Sequence, residues 1–106
     1  MRKIIKDHND NEYVLNAATI KELDGRGRSV RFSDLKKNLP KNGQANPFGA
    51  DGIYPRILHC PGLGLCETWL SVNELGWLSI GCTSFGPEAT RAIYKAAGIR
   101  RKVSTK

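Results

Sequence analysis

Apolar residues occur in short alternating runs through most of the chain, and only after residue 85 does their spacing lengthen to a helical period. KIIK (3–6) and EYVLNA (12–17) flank DHNDN (7–11), a cluster of turn formers, so the first seventeen residues predict a hairpin. His8 falls in its turn and is expected to be a solvated loop histidine. TIKELDGRGRSVRF (19–32) predicts a second hairpin around Asp24-Gly25, where glycine supplies positive φ. Ser33 is placed to cap a short helix over 34–39 that Pro40 ends.

Residues 41–52, KNGQANPFGADG, have no periodicity and are rich in Gly, Asn and Pro, as expected of an internal loop. Three strand-like runs follow, IYPRILHC (53–60), CETWLSV (66–72) and WLSIGC (77–82), joined by turns at PGLGL and NELG. Alternation puts Cys66, Thr68, Leu70 and Val72 on one side, and Leu78, Ile80 and Cys82 on one side. Pairing of those faces sets Leu70 opposite Ile80 and Thr68 opposite Cys82, with Trp69 and Trp77 on the reverse. GPEATRAIYKAAG (86–98) then predicts a helix: Pro87 at its first position, Glu88 in the first turn, Gly98 as the C-terminal cap. Ala89, Ala92, Ile93, Ala96 and Ala97 form its apolar stripe, with Thr90, Arg91 and Lys95 off it.

The pattern predicts an α+β fold, a small antiparallel sheet of five to seven short strands. The C-terminal helix packs on it, and a short helix lies near 34–39. With 106 residues, 40% hydrophobic and 25% charged, the chain can bury one modest core, which argues against disorder and against two domains. Residues 1–98 are expected to form that domain, and 99–106 a basic, flexible tail. No apolar run reaches membrane-spanning length, and MRKIIKDHND lacks the hydrophobic region of a secretory signal. A cytoplasmic protein without membrane partners is therefore expected. Three irregularly spaced cysteines fit reduced thiols better than a disulfide framework.

Charge changes this picture more than composition does. The net charge of +7 divides into +4 over residues 1–41, −3 over 42–90 and +6 over 91–106, where six Lys/Arg meet no acid. Cations at both ends point to a polyanionic partner or an acidic protein surface. Arg26, Arg28 and Arg31 lie on and beside the second hairpin tip, followed by Lys36, Lys37 and Lys41; Arg91 and Lys95 precede Arg100, Arg101, Lys102 and Lys106. Hairpin arginines and a cationic tail are suited to phosphate contacts, and they form one patch if the two ends lie together.

The stretch HCPGLGLCETW (59–69) invites a more chemical reading. His59, Cys60, Cys66 and Cys82 could supply a zinc-binding set. Yet five residues separate Cys60 from Cys66, more than the two to four between paired structural ligands, and adjacent strand residues such as His59 and Cys60 face opposite ways. Buried thiols packing as small hydrophobes are the simpler expectation. Cys82 stands shortly before a helix N-terminus, where a thiol pKa can fall, but no sequence feature places His8 or His59 beside it as a base. Neither G-x-G stretch, PGLGLC or DGRGRS, opens a helix or carries the Lys-Ser/Thr of a phosphate loop.

GRSVRFSDLKKNL (27–39) resembles the AbrB/MazE-type swapped-hairpin DNA-binding segment in its spacing, through Gly27, Arg28, Val30, Leu35, Lys36 and Leu39. The resemblance implies DNA contact by a dimer. It departs from that pattern at Phe32, where Pro is expected, and at Arg31, usually apolar; it spans thirteen residues, and no family is assigned from it.

The first expectation is thus a small basic, non-enzymatic protein that binds nucleic acid through Arg26, Arg28, Arg31, Lys36, Lys37, Arg91, Lys95, Arg100, Arg101 and Lys102, with no cofactor or metal. The alternative is a protein-interaction module, an inhibitor or adaptor. Its cationic surface would dock on an acidic partner, with Trp69, Trp77 or Phe48 as anchors.

Overall fold

The structure, a computed structural model, describes residues 3–23, 25–45 and 54–105. It is α+β, with two antiparallel sheets and two helices. The first sheet takes its strands in the order β1 (Lys3–Lys6), β2 (Glu12–Leu15), β3 (Thr19–Glu22), β4 (Ser29–Arg31), β6 (Arg56–Cys60) and β7 (Gly64–Glu67). The second runs β10 (Thr83–Ser84), β9 (Leu78–Ile80), β8 (Leu70–Val72) and β5 (Gln44–Ala45). Helix α1 (Phe32–Asn38) follows β4, and α2 (Pro87–Ala97) follows β10. The fold class and antiparallel pairing agree with the sequence pattern, but the strands divide over two sheets instead of one.

The division occurs inside CETWLSV, whose alternation looks like a single strand. At Thr68 and Trp69 the chain leaves one sheet for the other: the Thr68 amide donates to Pro55 O at 3.1 Å, and the Gly81 amide donates to Trp69 O at 2.7 Å. Leu70 does face Ile80. Thr68 does not face Cys82, because the chain turns at Gly81 (φ 60) and Cys82 to re-enter as β10, paired back onto β9. Two sheets let short strands surround one core, in which Leu35, Leu70, Leu78 and Ile93 have no exposed surface. Tyr13 and Phe85 join the sheets edge to face, with ring centroids 5.3 Å apart.

Helix α1 begins at Phe32, one residue before the expected cap, and its N-cap is Arg31 without a side-chain capping bond. Ser33 is therefore inside the helix. Burial of Phe32, at 5% exposure, draws it into the first turn and overrides the local preference of serine. β4 is bonded on both sides within the chain, to β3 and β6, so the segment similar to a swapped hairpin forms part of an intramolecular sheet. The expected hairpin tip at Asp24 and most of the 41–52 loop, from residue 46, lie outside the described residues.

Helix α2 has its predicted limits, with Gly98 left-handed at φ 71. Its buried stripe is rotated, however: Thr90 and Tyr94 are buried, whereas Ala96 is exposed. Thr90 tolerates the interior because its Oγ1 accepts the Leu78 amide at 3.1 Å, fastening the helix to β9. Tyr94 has no such compensation. Its hydroxyl is buried without a hydrogen-bond partner among the described residues. Tyr94→Phe is accordingly expected to leave stability unchanged or raise it by about 1 kcal/mol, read as a shift in thermal unfolding. A loss above that would reveal a partner for the hydroxyl.

The expected flexible tail is docked over residues 99–105. Val103 belongs to the core at 8% exposure, Trp77 Nε1 donates to Ser104 O at 2.6 Å, and the Ser104 amide donates to Leu75 O at 2.8 Å. Its two apolar residues, Ile99 and Val103, account for the docking: both pack on the core.

Candidate nucleic-acid interface

β1 is an edge strand, and α2 runs beside it. Between them lies an open groove of about 1020 Å3, walled on one side by Lys3, Ile4, Ile5 and Lys6 and on the other by Pro87, Ala89, Arg91, Ala92 and Lys95. Alternating short strands leave the KIIK lysines on an outermost strand, where charge also discourages unwanted strand pairing. Arg91 and Lys95, four residues apart, share one face of α2. Four cations from opposite ends of the sequence therefore border the groove and its partly apolar floor, Lys3 and Lys6 from the two faces of β1 because strand side chains alternate.

Two acids border it. Glu88 is exposed in the first turn of α2, where it complements the helix dipole. Asp7 is 7% exposed and turned inward. It accepts the Asn9 and Asn11 amides at 2.8 and 3.0 Å, Asn11 Nδ2 at 3.2 Å and the Tyr13 hydroxyl at 2.8 Å. Burial pushes its carboxyl up, but the bonds from Tyr13, Asn9 and Asn11 outweigh this and hold it below the ordinary value of 3.8. His8 also lines the groove, with Cε1 4.0 Å from a β-carbon built on Gly86.

The residues expected from sequence to contact phosphate are only partly brought together. Arg91 and Lys95 lie in the groove, and Arg91 Nη2 also donates to Val103 O at 2.8 Å. Arg100 and Lys102 are exposed on the docked segment that follows α2. Arg101 is half-buried, its guanidinium donating to Pro40 O and thus joining that segment to the end of α1. Lys36 and Lys37 are exposed on α1, and Lys36 Nζ is 3.8 Å from a β-carbon built on Gly98. These groups cluster where the two helices end.

The second hairpin is separate in character. Arg28 forms a two-pronged ion pair with Glu22, Nη2 to Oε1 at 2.9 Å and Nε to Oε2 at 3.0 Å. Arg31 Nε bonds Asp34 Oδ2 at 3.2 Å. Arg26 is exposed near the tip, next to Gly27, whose built β-carbon would lie 3.4 Å from Pro61 Cγ of the β6–β7 turn. Acids thus already engage Arg28 and Arg31, reducing the charge they offer to an external anion.

Lys3 and Lys6 become interface candidates only through the fold. The signal was present in KIIK, a strand bracketed by lysines, but its neighbour in space is α2, eighty residues away in sequence.

Of the proposed aromatic anchors, Trp69 is 46% exposed and stacked on Tyr54, with centroids 5.5 Å apart. Trp77 is half-buried and bonded to Ser104, and Phe48 lies outside the described residues. Cys60 and Cys66 are half-buried and Cys82 is exposed; among the described residues no three His, Cys, Asp or Glu side chains are grouped to share a metal ion. No helix among the described residues is long and apolar enough to cross a membrane. No protein-family model, curated protein or solved structure matches the chain.

Proposed function

We propose that this protein binds nucleic acid through its phosphates, without enzymatic chemistry, along the groove between β1 and α2 and onto the neighbouring C-terminal segment. The observation that carries this reading is the convergence of Lys3 and Lys6 with Arg91 and Lys95 on the walls of one groove. A phosphodiester backbone presents evenly spaced charge to such a row, and displacement of its counterions supplies the driving force. Arg100 and Lys102 extend the contact, and Lys36 and Lys37 flank it. Arg26, Arg28 and Arg31 play a smaller part than their number suggests. No set of side chains for reading base edges is identified, so binding is expected to depend weakly on sequence.

Fluorescence anisotropy with random duplex and single-stranded oligonucleotides over a range of salt tests this. Log affinity should fall linearly with log salt. The triple variant Lys3→Gln, Lys6→Gln, Lys95→Gln should flatten the slope on duplex by about 2.7, since each phosphate contact contributes about 0.9. Arg91 is left intact there because it also holds Val103. Absence of binding at low salt, or an unchanged slope in the triple variant, would refute the proposal.

The exposed Trp69–Tyr54 stack favours a second reading, docking on an acidic protein. That reading predicts partner capture that Trp69→Ala abolishes and competing oligonucleotide does not.

A further inference from the structure

The stretch HCPGLGLCETW (59–69) has one feature that nucleic-acid binding does not use. In the β6–β7 hairpin, Leu58 faces Cys66 and Cys60 faces Gly64. Side chains two apart on a strand share a face, so Cys60 and Cys66 are diagonal neighbours on one side of the hairpin. Both are half-buried, accessible enough for a small reagent to reach them. Burial and hydrogen bonding to the Cys66 thiol push the Cys60 thiol up, while the charge of Arg28 acts in the opposite direction, so the two sulfurs and the guanidinium occupy one neighbourhood. The β4–β6 register, Ser29 opposite His59, places Arg28 there.

We propose that Cys60 and Cys66 form a reversible dithiol–disulfide pair that exchanges with low-molecular-weight disulfides. One thiolate attacks a sulfur of the small disulfide, forming a mixed disulfide and expelling the first small thiolate. The second cysteine thiolate then attacks the protein sulfur of that bond, forming Cys60–Cys66 and expelling the other. The two protons released by the cysteines end on the two small thiols; the protein pair is oxidised and the small disulfide reduced.

Geometry sets the character of this bond. Diagonal β-carbons lie somewhat under about 7–8 Å apart, against about 3.5–4.5 Å in a relaxed disulfide. Closure must draw the strands together, so the product is strained and easily reduced, the behaviour of a labile bond and not of a structural one.

The test equilibrates reduced protein with mixtures of reduced and oxidised glutathione, quenches with acid, alkylates and maps the peptides by mass spectrometry. Cys60 and Cys66 should lose alkylation together, without retained glutathione, in both the wild type and Cys82→Ser, and added thiol should restore it. Cys60→Ser and Cys66→Ser, with unchanged circular dichroism, should each retain glutathione on the remaining partner. Three thiols that stay alkylatable, glutathione adducts that persist at 60 or 66 in the wild type, or a bridge to Cys82 would each overturn the proposal.

Discussion

Asp7→Ala is expected to lower folding stability by about 3 kcal/mol, because one carboxylate organises the whole first turn. It accepts two backbone amides, one side-chain amide and the Tyr13 hydroxyl, and hydrogen bonds to a charged group contribute about 1.5–3 kcal/mol each before they are shared in a network. Truncation also leaves the buried Tyr13 hydroxyl with only Thr83 Oγ1, 3.3 Å away. The same interaction makes the wild type acid-sensitive. Since folding holds the Asp7 carboxyl below 3.8, its contribution is complete above that pH and disappears as pH falls through the lower folded value. Urea unfolding across this range should show the wild type and Asp7→Asn converging at the acid end. A gap that stays constant with pH would show that the charge is not what stabilises the turn. At alkaline pH the sign reverses for Tyr13, whose hydroxyl burial pushes up to about 12: its contribution is complete below 10.0 and is lost as pH rises through about 12.

Gly76→Ala is expected to have an effect of similar size at the other end of the molecule. Gly76 has φ 87, where an L-residue is strained by about 1–2 kcal/mol. An added β-carbon would lie 2.7 Å from Lys102 O and 3.5 Å from Val103 Cα, and a backbone carbonyl cannot swing aside as a side chain can. Either the turn or the docked segment must move, and movement of the segment exposes Val103 and breaks the Trp77–Ser104 bond. A total near 3 kcal/mol corresponds to a fall of about 15 °C in Tm. Faster tryptic cleavage after Arg100 and Arg101 would distinguish release of the segment from general destabilisation. Retained Tm and protection would show that the docking is looser than the contact implies. Because Arg91 holds Val103 O, release should also disturb the groove wall.

The two residues illustrate how much of the molecule was legible in its sequence. DHNDN and NELG are recognisable as turns from residue type alone, since local backbone preferences concern neighbours along the chain. That Asp7 is buried against Tyr13, or that Gly76 is pressed by Lys102, depends on what arrives from elsewhere. Ser33 marks the same boundary. Residue type suits it to a local cap, and burial of Phe32 draws it inside the helix instead.

Alternation and capping, read from sequence, determined the short antiparallel strands, the first two hairpins, the Leu70–Ile80 register and the limits of α2, because each depends on contacts a few residues apart. Charge counting located the cations at both ends of the chain. Tertiary structure alone decided which of those cations meet. It paired Lys3 and Lys6 with α2, engaged Arg28 with Glu22 across the second hairpin, and anchored the C-terminal segment through Val103. Electrostatic and apolar contacts act through space, and the order of residues along a chain does not record which distant groups become neighbours once a shared core closes.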